Sequence, residues 1–379
     1  MILGNGTYKV GDKNVLKMYQ GANQRFAAGT PWTLVMIPDT QYFIHNQGIG
    51  VCPAANGGEL ILPAMCQYIA DQKDAKNIKF VQHIGDICGS PTTTQFGYAA
   101  TSRQAITTAG IPNMWAPGNH DYEDHALGSS RNLSTYRTYL PLSSYSSEDW
   151  FGGSFDGNPE NIYTVQTIEG EKWLFFSVEF YPRSEVMTWM NNTIASEAPD
   201  FCVVSTHAYV APSAWQDPLP AETFWDGVLI NSAHQYGPNV YGSAFTTSGE
   251  DLYNTVISQN DCIVLVLCGH VLDGRHDSTE SWGGTNNGVV AHSGKQFTHA
   301  NGNVCTQIVY NHQNDSILAC NDGKQGSSPT LHFFEVNPTN RTIHAYGYDP
   351  YHDVYSADLG TYPTLLPDWS SRHDLTFNY

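Results

Sequence analysis

Short apolar runs separated by polar, glycine-containing segments set the rhythm of the 379-residue chain. Five of them, Trp32 to Pro38, Ile78 to Ile84, Asn113 to Pro117, Phe201 to Thr206 and Cys262 to Cys268, are rich in Val, Ile, Leu and Phe and read as buried strands. Between the first two, Gly58 to Lys76 carries apolar residues near helical spacing, and Gln95 to Ala109 predicts a second helix, so strands alternate with helices early in the chain. Later runs, Tyr163 to Ile168 with Trp173 to Phe180, then Val304 to Tyr310, Thr330 to Val336 and Thr342 to Gly347, predict hairpins without helices between them. The sum is two packed sheets with flanking helices. The stretches Ser143 to Asn161, Pro212 to Gly249 and Asp273 to Asn303 are too irregular for elements and are expected to be long loops. No repeat, charge block or low-complexity linker divides the chain. The expected organisation is one domain over residues 31–350, with an N-terminal extension (1–30) and a C-terminal extension (351–379) packed on the same domain.

Composition narrows the partners. With 41% hydrophobic and 12% aromatic residues the chain can bury a sizeable core. Only 17 Lys plus Arg stand against 36 Asp plus Glu, a formal charge of −19. Such a field repels polyanions and argues against duplex nucleic acid as a partner, while leaving small anions open. No apolar stretch is long enough for a transmembrane helix, and the opening MILGNGTYKVG is too short and polar for a secretory signal. Eight cysteines, few charged residues, and sequons at Asn5, Asn132, Asn191, Asn314 and Asn340 point to a secreted or periplasmic protein lacking its signal here. Local disulfides are expected for Cys52 with Cys66 and Cys305 with Cys320, whereas Cys202, Cys262 and Cys268 in apolar runs read as small buried hydrophobes. Without a CxxC pair there is no zinc finger. The pattern does not set an oligomeric state.

Immediately after the five strands come Asp39, Asp86, Asn119, His207 and His270. A lone Asp after a strand is ordinarily a turn or helix cap; five successive strand ends supplying oxygen or nitrogen ligands suit hard or borderline divalent cations such as Mn, Fe, Zn or Mg. Asp86 is the natural bridge, since a carboxylate has two oxygens and can bind two cations at the roughly 3.5–4 Å spacing of two-metal phosphoryl chemistry. Asp39 would bind one cation; Asn119, His207 and His270 would complete the other. Water shared between them loses a proton near neutral pH and attacks phosphorus in line with the leaving oxygen. His83, His125, His234, His292, His299, His312, His344 and His352 lack such context and read as surface or core histidines. There is no GxSxG elbow, GxxxxGKS loop or GxGxxG turn, and Cys88 and Cys268 lack the basic partner a thiol nucleophile needs.

In order, Asp39-Thr40-Gln41, Gly85-Asp86, Gly118-Asn119-His120-Asp121, Thr206-His207 and Gly269-His270 resemble the motif set of the calcineurin-like metallophosphoesterases over residues 32 to 276. The segments Gln307 to Gln313 and Leu331 to Val336 look like the tail of that superfamily's secreted bacterial-type branch, extending the resemblance to about residue 350. The resemblance implies a four-layer αββα sandwich with two mixed β-sheets, a dinuclear centre at the strand ends, and hydrolysis of a small phosphomonoester or phosphodiester. By the same resemblance His120 stabilises the transition state or protonates the leaving group and Asp121 orients it, as a carboxylate bonded to one ring nitrogen fixes the tautomer. Such help from a general acid contributes about 10²–10⁴ in rate.

Two departures fall on the first metal site. The family's Asp-x-His is Asp39-x-Gln41 here, and its Gly-His-x-His is Gly269-His270-Val271-Leu272. Gln41 offers an amide oxygen, a weaker donor to Zn or Fe than imidazole, so altered metal preference is expected. His276 could return toward the metals, Arg275 could meet phosphate, and Tyr42 could line the pocket. The rival reading is a non-catalytic binding module that keeps the fold; the survival of His120 with Asp121 argues against it.

Overall fold

The structure is a computed structural model. It describes residues 29–41, 61–212, 225, 227–271, 289–314, 330–350, 353–355 and 374–379, with the short strands Thr7–Val10, Lys13–Lys17 and Phe26–Ala27 described as backbone. Two large mixed sheets dominate it. In the first, Trp32–Ile37, Ile78–His83 and Asn113–Trp115 run parallel, and Leu331–Asn337 and Thr342–Asp349 extend the sheet antiparallel from Trp32–Ile37. Asp374–Asn378 pairs with Thr342–Asp349 and so belongs to the same sheet. In the second, Glu171–Ser177, Phe201–Ser205, Ile263–Cys268 and Val304–Asn314 run parallel, with antiparallel strands on both flanks.

Period-two alternation along each strand decides what lies between the sheets and what lies outside. Trp32, Leu34, Met36 and Phe80 of the first sheet meet Trp173, Phe175, Val203, Leu265 and Leu267 of the second in one buried cluster. Within it Trp32 meets Trp173 edge to face at 5.0 Å and Phe80 stacks on Phe175 at 4.3 Å. Burying each such ring contributes about 1.5–3 kcal/mol. The intervening residues, Val35, Ile37 and Val81 on one sheet and Leu174, Phe176, Cys202 and Val204 on the other, face outward onto helices. Ile61–Asp71 covers the first sheet with Ile61, Leu62, Met65, Cys66 and Ile69. Thr93–Thr108 lies beside it, its start capped by the Thr92 side chain accepting the Gln95 N–H. Ser184–Glu197 covers the second sheet with Val186, Met187, Met190 and Ile194. The result is the expected four-layer αββα sandwich, with all five apolar runs as parallel strands.

Three segments differ from expectation. The helix Ser184–Glu197 is an addition to the expected elements: Val186, Met187, Met190, Thr193 and Ile194 form its buried stripe at helical spacing, and the polar residues between them lie on the outer face. Phe151–Ser154 and Val289–Thr298, in stretches expected to be loops, are the two edge strands of the second sheet. An edge strand has a neighbour on one side only, so Val289–Thr298 can carry His, Ser, Gly, Lys and Gln without the apolar density of a central strand.

No disulfide joins two described cysteines, and Cys52 and Cys320, the expected partners of Cys66 and Cys305, lie outside the described residues. Cys202 and Cys268 are buried as expected, whereas Cys262, just before the strand Ile263–Cys268, is only half-buried. Burial pushes the Cys268 thiol up to about 12, and burial with the Asp121 charge lifts Cys88 well above the ordinary range, so neither is poised as a thiolate. No helix among the described residues is long and apolar enough to cross a membrane.

Candidate metal centre

Both sheets deliver their parallel strands' C-terminal ends to one edge of the sandwich. Ile37 leads to Asp39, His83 to Asp86, Trp115 to Asn119, Ser205 to His207, and Cys268 to His270. All five polar residues are buried. Asp86, His207 and His270 each present a ligand atom within 4.8 Å of the others. Asp39 joins them, with its Oδ1 3.7 Å from His207 Nε2 and its carboxylate accepting the His270 backbone N–H at 3.2 Å. Such crowding needs glycine. A Cβ on Gly118 would sit 2.2 Å from Asp86 Oδ1, and one on Gly269 would sit 2.2 Å from Asp39 Oδ2. Asp86 and His270 themselves hold positive φ of 49° and 66°, a costly conformation for residues with side chains and one concentrated at functional sites.

Hydrogen bonds fix the ring tautomers. His207 Nδ1 lies 3.0 Å from the Ile84 carbonyl oxygen, which can only accept, so Nδ1 carries the proton. Nε2 then faces Asp86 Oδ1 at 3.2 Å. Lone pair against carboxylate is repulsive unless a positive charge stands between them, either a second proton on the ring or a cation. Gln41 Oε1 and Asn119 Oδ1 are also buried without a hydrogen-bond partner. Buried acceptors without donors are costly, and these are oxygen and nitrogen atoms of the kind hard or borderline cations take. The donor set therefore fits a divalent cation.

The charges respond accordingly. Burial pushes the Asp39 carboxyl up to about 7, with Asp86 adding to the rise and His207 opposing it. Burial also acts to raise Asp86, but His207 and His120 outweigh it and hold this carboxyl below the usual range. For His207 burial disfavours charge, yet Asp86 and Asp39 lift it to about 9. Burial, reinforced by His207, drives His270 well below its ordinary value.

His120 is partly buried beside the cluster, with its backbone N–H donated to Asp86 Oδ1 at 2.9 Å. Its Nδ1 donates to the Gly89 carbonyl at 3.1 Å, leaving Nε2 as the nitrogen that can meet a substrate. The expected direct bond from Asp121 to this ring is replaced by a longer route. The Asp121 carboxylate accepts the backbone N–H groups of Gly118, Ile87 and Cys88 at 2.8, 3.1 and 3.1 Å. It thus pins the turn whose next residue, Gly89, holds the His120 ring. Burial and the Asp86 charge raise Asp121 to about 7 against these three bonds.

His83, set aside in the sequence, is a fully buried core histidine. Thr40 Oγ1 donates to the Ile87 carbonyl and so accepts from His83 Nε2, while His83 Nδ1 accepts the Gly85 N–H. Both nitrogens are satisfied, and burial pushes its pKa down to about 3. His125, also set aside, instead lies beside the site with its ring 4.9 Å from that of His120. Phe180 and Tyr241, with no sequence signal, pack on the centre: Phe180 lies 5.7 Å from the His207 ring and 5.3 Å from the His270 ring, and the Tyr241 hydroxyl is 2.6 Å from His270 Nε2. Tyr42, Arg275 and His276 lie outside the described residues.

No protein family model matches the chain. The uncharacterized protein YvnB of Bacillus subtilis (strain 168) is 23% identical over 240 residues; the match covers 63% of this chain and 15% of YvnB. A dimetal phosphatase from Danio rerio superposes with a TM-score of 0.48 at 11% identity, over 92% of this chain and 100% of its own. The purple acid phosphatase PPD1 from yellow lupin (Lupinus luteus) gives a TM-score of 0.46 at 13% identity, over 90% of this chain and 57% of its own.

Proposed function

We propose that this protein is a metal-dependent phosphoester hydrolase of the calcineurin-like type, acting on a small phosphomonoester or phosphodiester. The observation that carries the reading is the buried cluster of Asp86, His207 and His270, with His207 Nε2 turned toward the Asp86 carboxylate and the amide oxygens of Gln41 and Asn119 left without donors. Asp86 would be shared between two divalent cations. Asn119, His207 and His270 would hold one, and Asp39 with Gln41 the other. Divalent cations at such a centre supply charge neutralisation for the phosphoryl group and an activated water.

The chain's own residues do the rest. With Nδ1 held by Gly89, His120 has Nε2 left to bond a phosphoryl oxygen or give a proton to the departing alcohol. Asp121 keeps that ring in place through the Ile87 to Gly89 turn. Phe180 and Tyr241 exclude water from the imidazole side. Gln41 in place of imidazole makes the first site an oxygen site, favouring Mn or Mg over Zn.

The test is hydrolysis of nitrophenyl mono- and diesters by protein stripped with a chelator, then reloaded with Mn, Mg, Zn or Fe. Loss of turnover on stripping and recovery with Mn supports the reading. Turnover indifferent to chelation, or no metal uptake by elemental analysis, would overturn it.

A further inference from the structure

The polar contact between the centre and the long loops that is hardest to dismiss as packing is that of Tyr241 with His270, whose hydroxyl and Nε2 lie 2.6 Å apart. An imidazole has two nitrogens, and one committed to a short hydrogen bond cannot also be a ligand. We propose that Tyr241 is a positioning residue which occupies His270 Nε2 and so reserves Nδ1 for the cation. This rests on the metal-centre reading above.

The surroundings of Tyr241 are built to hold it. Its ring meets Phe180 edge to face at 4.8 Å and lies 6.3 Å from Phe245. The tyrosine is partly buried, with aromatic rings against it that limit the water competing for its hydroxyl. The loop cannot slide. The Gly242 N–H donates to the Ala126 carbonyl at 2.7 Å, and a Cβ on Gly242 would lie 1.5 Å from the Gly128 carbonyl oxygen. That contact laces the Tyr241 loop to the segment carrying His125 and Ala126, both at positive φ. The His270 backbone is fixed from the other side, where its N–H is donated to Asp39. Tyr241 therefore supplies the remaining constraint on the imidazole, the choice of which edge faces the cluster.

Removing an outer partner of a ligating histidine costs about 10–100-fold in metal affinity. Tyr241→Phe deletes the hydroxyl while keeping the ring against Phe180. Titration calorimetry of the stripped protein with Mn2+ should show affinity about tenfold or more below wild type. In the Co2+-loaded protein, the exchangeable Nε2 proton of His270 should give a shifted resonance that is long-lived in wild type and exchanges rapidly with solvent in Tyr241→Phe. Gly242→Ala, which displaces the loop, should reproduce the faster exchange. Equal Mn2+ affinity and equal proton exchange in wild type and Tyr241→Phe would overturn the proposal while leaving the metal centre standing. Failure of wild type itself to bind Mn2+ or Co2+ would overturn the centre and this inference with it.

Discussion

The backbone N–H of His120 is donated to Asp86 Oδ1 at 2.9 Å, and the same oxygen lies 3.2 Å from His207 Nε2. One carboxylate oxygen thus ties the loop after one strand of the first sheet to the end of a strand of the second. Because Asp86 also stands between the proposed cation positions, its charge is needed both to attract metal and to raise His207. Asp86→Asn keeps the volume and removes the charge. Its Mn2+ affinity is expected to fall by more than the roughly 10–100-fold that follows loss of an outer partner. In the stripped variant His207 should titrate below its wild-type position of about 9, read from its imidazole NMR shifts.

His120 separates binding from chemistry. Its contact with Asp86 is made by the backbone, so His120→Ala leaves that bond intact and Mn2+ affinity should be unchanged. Turnover should drop by about 10²–10⁴, the range for losing a positioned proton donor. The loss should be larger for alkyl phosphate esters than for nitrophenyl esters, whose leaving group departs without a proton. Comparing kcat/KM for the two ester types in both proteins checks this, and equal losses would remove His120 from the leaving-group role.

How much of this was readable beforehand follows from where each residue gets its position. Asp39, Asp86, Asn119, His207 and His270 sit shortly after buried parallel strands, whose apolar runs announce them. Their side chains are placed by the strand they follow, so proximity in sequence to a strand end carried the information. Tyr241, Phe180 and His125 reach the centre from loops or turns, through contacts between segments far apart in the chain, and no local pattern encodes those. The role of Asp121 was half legible. Its neighbourhood to His120 suggested a direct bond, but three backbone donors compete for a buried carboxylate and win. Among the elements, Ser184–Glu197 has its buried stripe spaced among polar outer-face residues rather than in one apolar run, and Val289–Thr298 has the polarity an edge strand tolerates.

The charges predict how the stripped protein responds to pH. His207, raised to about 9, favours the folded state fully below the ordinary histidine pKa of about 6.5, and that contribution is lost as pH rises through 9. Asp39 and Asp121, raised to about 7, cost nothing while protonated; their penalty grows above the ordinary carboxylate value of about 3.9 and is complete above 7. All three act in one direction, but His270 and His83, held below their ordinary value, cost less as pH rises to about 6.5 and oppose the two carboxylates there. The cluster therefore weakens the metal-free fold clearly only as pH climbs from about 6.5 to 9. A bound cation neutralises the carboxylates and requires the deprotonated ligands. The rise in Tm on adding Mn2+ should therefore be small at pH 5 and larger at pH 8, measured by scanning calorimetry. An increment independent of pH would show that these groups are not the ones the cation meets.

Gly118 offers a structural test that leaves every polar residue in place. A Cβ there would lie 2.2 Å from both the Asp86 backbone nitrogen and Oδ1, and 2.8 Å from His207 Nε2. Neither neighbour can yield, because Asp86 is held by the His120 N–H and His207 by the Ile84 carbonyl. Gly118→Ala must push the two loops apart, a form of overpacking that costs about 1–3 kcal/mol. Gly157 serves as the control: its φ is 70°, so alanine is strained there too, but nothing lies within 4 Å of its Cβ position. Gly157→Ala should lose about 1–2 kcal/mol from the left-handed backbone alone and bind Mn2+ as wild type does. Gly118→Ala should lose stability to a similar degree and, unlike the control, lose Mn2+ affinity as well. Urea unfolding with calorimetric titration of both variants distinguishes them, and retained Mn2+ affinity in Gly118→Ala would mean that the loops after Ile84 and Trp115 do not jointly form the cation site.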